Sequence, residues 1–98
     1  MKVSINVIKQ GKQTLIAVCD LNLLGKTLKL GDIKFEVRRV FYGGSVVSVD
    51  EAMKLIKQGT AVNMVGSLIV KKAIEEGLVH PQAILDISGV PHAQIVRT

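Results

Sequence analysis

A single cysteine, Cys19, is all the thiol this chain holds, and its only Phe, Tyr or Trp residues are Phe35, Phe41 and Tyr42. One thiol excludes an intramolecular disulfide and fits a reducing compartment, of which the cytoplasm is the simplest. Beside Cys19 stand only two histidines, His80 and His92, and these three do not make a metal-ligand set of the usual spacing. With so few rings, the core must be mostly aliphatic. No apolar run approaches the ~20 residues that cross a membrane. The N-terminus alternates polar and apolar residues and is not a signal peptide. The 98 residues suit one domain spanning 1–98. Such a chain buries roughly 60–70% of its unfolded surface and folds without disulfide or metal.

Acid is scarce in the first half. Residues 1–42 carry Lys2, Lys9, Lys12, Lys26, Lys29, Lys34, Arg38 and Arg39 against Asp20, Asp32 and Glu36, a net +5, while residues 43–98 balance five bases with five acids. The strand-like half therefore holds the whole excess. A basic half favours nucleic acid, an acidic protein or an anionic surface as partner. The plainer alternative is a solubilising surface.

The longest helical signal runs from Ser48 to Gly77. Ser48 and Glu51 fit a capping box, and Val49, Ala52, Met53 and Ile56 share one helical face. Gly59 stops this helix and Thr60 is placed to cap a second. Val62, Val65, Ile69 and Ala73 line its stripe; Asn63, Ser67, Lys71 and Lys72 fall on its wet side. Gly66 inside that run costs about 1 kcal/mol against Ala and permits a second start at Ser67. Before this block, residues 2–9 and 14–19 read as one hairpin, and residues 27–30 and 33–40 as another, around Gly31-Asp32. Ile33, Phe35 and Val37 are expected to face the core and Lys34, Glu36 and Arg38 the water. After it, 84–87 fits a strand or one helical turn, 88–92 a loop and 93–97 a last strand.

These elements predict an α+β fold: strand-rich over 1–47, helical over 48–77, with a short strand-like tail over 78–98. An antiparallel or mixed sheet, made of two N-terminal hairpins and a C-terminal strand, is covered on one face by an αα-hairpin. Its far face is expected to stand open and basic.

Three constellations invite chemistry. Gly25-Lys26-Thr27 copies the end of a phosphate-binding loop, but Asp20 stands where that motif needs its first glycine. Cys19, Asp20 and His92 are the residues of a small enzyme or ligand-binding protein, if the fold brings them together. Otherwise Cys19 is a small buried hydrophobe. The third is the junction of the two halves. Lys34, Arg38 and Arg39 adjoin Phe41 and Tyr42, then Gly43 and Gly44. Cations neutralise phosphates, aromatic faces stack on unpaired bases for about 1–3 kcal/mol each, and glycines allow close backbone approach. The alternative is an aromatic pair in the core followed by a turn.

The ordered segments Ala17–Asp20, Leu23–Lys26, Phe41-Tyr42-Gly43-Gly44, Ala73–Val79 and Gly89-Val90-Pro91-His92-Ala93-Gln94 resemble a family of small uncharacterised archaeal proteins, with FYGG and GVPHAQ signatures. The resemblance covers nearly the whole chain. It implies an archaeal, cytoplasmic, stand-alone domain, points towards translation, and brings no activity with it. It also draws Pro91, His92 and Gln94 into a second polar loop that forms one site with Phe41–Gly44 if both lie on one edge of the sheet. The expectation is a non-catalytic binding module without cofactor or membrane partner, whose partner is RNA or a ribonucleoprotein. A homodimer through the helices or an open sheet edge is a further expectation.

Overall fold

The computed structural model describes residues 1–97. Its eight strands are β1 (Lys2–Gln10), β2 (Gln13–Asp20), β3 (Thr27–Leu30), β4 (Ile33–Glu36), β5 (Ser45–Ser48), β6 (Ala61–Val65), β7 (Leu85–Ile87) and β8 (Val90–Val96). Its α-helices are α1 (Arg39–Tyr42), α2 (Val49–Ile56) and α3 (Ser67–Glu75). Six strands form one mixed sheet in the order β5-β1-β2-β6-β8-β7. Only β2 and β6 run parallel; the other pairs are antiparallel. The α+β reading stands. The second hairpin, β3–β4, is a separate two-stranded sheet rather than part of the main one.

The helical block is not an αα-hairpin. A strand, β6, separates α2 from α3. Val62 and Met64 face the helices while Asn63 and Val65 face the other layer, so the segment has period two and both faces are used. Its β-branched residues also fit a helical stripe, which is why the sequence alone reads them as helix. Thr60 does not cap a helix either. Its hydroxyl accepts from the Thr14 amide and donates to the Thr14 carbonyl, at 2.8 and 3.0 Å, fastening the start of β6 to β2.

Gly66 turns the chain from β6 into α3 with φ +122°, and a side chain there would collide with the Asp20 carboxylate. That carboxylate accepts from the amides of Leu68 and Ile69 at 2.9 and 3.0 Å. Asp20 at the end of β2 thus caps α3, satisfying two of the amides that every helix start leaves free. The cap of α2 is local: the Ser48 hydroxyl accepts from the Glu51 amide at 3.1 Å.

Helices α2 and α3 cover one face of the main sheet, where Val3, Ile5, Ile16, Val18, Val62 and Met64 meet Met53, Ile56, Ile69 and Val70. The opposite face is covered too. Ala17, Cys19 and Val65 are buried beneath Leu23, Val37 and Tyr42, with Leu28, Phe35 and Phe41 packed against them. The expected open basic face is therefore not present. The β3–β4 hairpin and α1 occupy it, because β3 and β4 turn Leu28 and Phe35 inward and need an apolar surface to bury them. The hairpin overshoots that surface, so Ile33 at its tip is 68% exposed rather than core.

Two further boundaries differ from expectation. Strand β4 ends at Glu36, and Phe41 and Tyr42 belong to α1 instead of a loop. Pro91 and His92 belong to β8, because Ser88 (φ +52°) and Gly89 (φ +88°) make a tight turn directly between β7 and β8.

Candidate functional site

The polar residues of the main sheet on the hairpin side hold α1 in place. Ser4 donates to the Tyr42 carbonyl at 2.8 Å and Asn6 to the Phe41 carbonyl at 3.0 Å. Both are carbonyls at a helix end, which need partners outside the helix. Anchored in this way, α1 turns the Tyr42 hydroxyl towards Asn63 of β6, to whose Oδ1 it donates. The Nε2 of His92 lies 3.1 Å from the same oxygen. Burial lowers the affinity of His92 for a proton, so its neutral form is favoured, and an Nε2–H tautomer donates to Asn63. Burial, with a smaller contribution from Cys19, holds the Tyr42 phenol well above its ordinary range and keeps it a donor. Both lone pairs of Asn63 Oδ1 are then taken.

This trio is the floor of a cavity of about 520 Å³. Phe35 and Phe41 supply ring surface, Gln94 lies on the β8 side, and Glu36, Arg38 and Val40 complete the lining. The Phe35 ring sits 5.1 Å from the His92 ring at a 60° tilt, and Phe41 meets Tyr42 edge-on at 4.9 Å. The volume lies within the range of small-ligand sites, which combine apolar walls with a few convergent polar groups.

The two segments singled out in the sequence do meet here. Arg38, Phe41 and Tyr42 come from one; His92 and Gln94 come from the other. The remaining candidates lie elsewhere. Lys34 faces Lys29 across the hairpin. The Arg39 guanidinium packs on Gly25. Gly43 and Gly44 are not part of the cavity lining; a Cβ on either would strike the carbonyl of Arg39 or of Ile5, so glycine there allows close packing of the chain on itself. Pro91 lies beside Ile74 and Ile84 in a separate depression on α3.

Sequence reasoning missed Phe35, Glu36 and Asn63 as lining residues. Asn63 was hidden by the helical reading of residues 60–77. Val62, Met64 and Val65 around it fit a strand buried on both sides as well as they fit a helical stripe, so no local signal separates the two.

Cys19, Asp20 and His92 do not form a reactive set. Cys19 pairs with Val65 and Val65 with His92. The thiol and imidazole are thus two strand spacings apart, about 10 Å, with Val65 between them. Burial, aided by Asp20, pushes the thiol up to about 11, which suppresses the thiolate a nucleophile needs. The Asp20 carboxylate is committed to α3. Among the described residues no group of three His, Cys, Asp or Glu is placed to hold a metal ion, and no helix is long and apolar enough to cross a membrane.

The model of a family described as a protein of unknown function (DUF424) matches residues 8–98. No curated protein matches the chain. Among solved structures it is similar to an uncharacterized conserved protein from Methanopyrus kandleri, with 28% sequence identity and a TM-score of 0.85, over 100% of this chain and 95% of that one.

Proposed function

The chain belongs to the DUF424 family of proteins of unknown function, and from that premise we propose that it is a non-catalytic module that binds single-stranded RNA. One observation carries the reading: a cationic side chain, two phenyl rings and an amide–imidazole floor share a single cavity beside a basic hairpin. Residues 26–39 hold Lys26, Lys29, Lys34, Arg38 and Arg39 against Asp32 and Glu36, a local net charge of +3. All five of these basic side chains are exposed. Phosphates release counterions when such groups neutralise them. Phenyl rings give stacking surface to a base without demanding its identity. The cations that supply affinity belong to the hairpin layer, not to an open sheet face.

The test is binding of a fluorescently labelled uridine octamer over a range of salt. Lys34→Ala combined with Arg38→Ala is expected to weaken binding and to flatten the slope of log K against log salt by about 0.7 for each phosphate that is no longer neutralised. Absence of binding at low salt would remove the proposal.

A further inference from the structure

The carboxylate of Glu36 has no evident place in a phosphate-binding surface. It lines the cavity, it lies between Lys34 and Arg38 in the chain, and among the described residues it forms no ion pair. A carboxylate there repels phosphate. What it does offer is two acceptor oxygens and no donor. Asn63 offers the complement. With its oxygen occupied by Tyr42 and His92, only its Nδ2 hydrogens remain for an occupant. The cavity thus presents an acceptor-only group and a donor-only group, with phenyl surface from Phe35 and Phe41.

We infer that the cavity takes one unpaired guanine; this rests on the RNA-binding reading above. The pairing edge of guanine carries a carbonyl, O6, followed by two adjacent donors, N1–H and N2–H. The Asn63 amide donates to O6, and the Glu36 carboxylate accepts from N1–H and N2–H together. No other RNA base offers the carboxylate two adjacent N–H groups beside a carbonyl for the amide. In that register adenine sets its bare N1 lone pair against the carboxylate. Uracil flanks its one N–H with two carbonyls. Cytosine sets its N3 lone pair beside its amino group. Arg38 is left for the phosphate, and Gln94, which both donates and accepts, follows the base without selecting it. Recognition through the pairing edge is the usual way an unpaired RNA base is read.

The experiment compares labelled uridine octamers carrying one central guanosine, adenosine or inosine, at one salt concentration, by fluorescence anisotropy. Guanosine is expected to bind about tenfold tighter than adenosine, the scale of one bidentate contact. Inosine, which lacks the N2 amino group, is expected to fall between them. Glu36 is exposed, so Glu36→Gln leaves the fold intact and separates the two roles its charge can have. If the carboxylate reads guanine, Glu36→Gln abolishes the preference for guanosine even as it removes a repulsive charge. If it only repels phosphate, the variant tightens all three octamers equally and leaves their ratios unchanged, which overturns the inference. Equal binding of all three octamers by the native chain, still salt-dependent, also overturns it and leaves RNA binding standing. Failure to bind any of them removes both.

Discussion

Asp20 shows how much a single side chain can join. Its carboxylate receives two amides of a helix that begins 47 residues later in the chain, and Gly66 keeps the space it needs. Asp20→Ala is expected to cost about 1–2 kcal/mol, the cost of losing a helix cap. Gly66→Ala is expected to cost about 1–3 kcal/mol, from a backbone conformation that alanine resists and from its collision with the carboxylate. In a double-mutant cycle followed by urea denaturation, Gly66→Ala should cost less once Asp20 is alanine, because only the backbone part remains. Strictly additive losses would show that the two residues do not touch.

His92 gives a residue-scale test by pH. Burial lowers its folded-state affinity for a proton, so the unfolded chain binds that proton first as pH falls. The unfolded state then holds more protons than the folded one, and stability declines. The stability associated with neutral His92 is therefore complete above an unfolded value of about 6.5 and diminishes as pH falls towards the lower folded value. His92→Gln should flatten the urea midpoint over that window relative to the native chain. An unchanged slope would place the lost stability in other groups. The cavity itself was only half legible at this scale. Arg38, Phe41, Tyr42, His92 and Gln94 stand out as charge, ring or amide in short polar segments. Asn63 does not, because one asparagine among Val62, Met64 and Val65 looks the same on a helix as on a strand.

At the scale of elements, the parts with strong local signals are the ones the sequence reveals. The β3–β4 turn at Gly31-Asp32 falls as expected, with Leu30 opposite Ile33, and α2 starts at its Ser48 cap. Strand β6 was not legible, since its identity is set by two neighbours distant in sequence: β2 beside Leu15–Cys19 and β8 beside His92–Val96. Tertiary pairing decides such segments, not intrinsic preference. The consequence for stability is a sharp contrast between two aliphatic residues. Met64 of β6 is fully buried, and Met64→Ala is expected to cost about 2–5 kcal/mol. Ile33, which periodicity assigns to the core, overhangs it, and Ile33→Ser should change stability by no more than about 0.5 kcal/mol. Comparable losses for the two in urea denaturation would mean that the hairpin tip is covered in solution.

At the scale of the whole molecule, two cores lie back to back on the same strands. Ile16 and Val18 serve one and Ala17 and Cys19 the other, all on β2. Neither core can be lost without exposing the strand that the other uses, so unfolding is expected to be one cooperative event. The chain supplies one local probe and one global probe. Tyr42 is its one tyrosine, without tryptophan to mask it, and it lies in the hairpin-side core; far-ultraviolet circular dichroism reports on the strands and helices together. The two signals should trace one denaturation curve, and separated midpoints would show that the hairpin layer melts independently.

The union of Asp20 with α3 also bears on how the molecule is made. During synthesis the carboxylate emerges long before the amides that will receive it, and β2 waits equally long for β6. Until β6 has left the ribosome, the first hairpin has apolar residues on both sides and no companion at its inner edge. An exposed apolar surface beside an unpaired strand edge is what makes partly folded chains prone to aggregate, so the arrival of β6 and α3 closes the most vulnerable stage of folding.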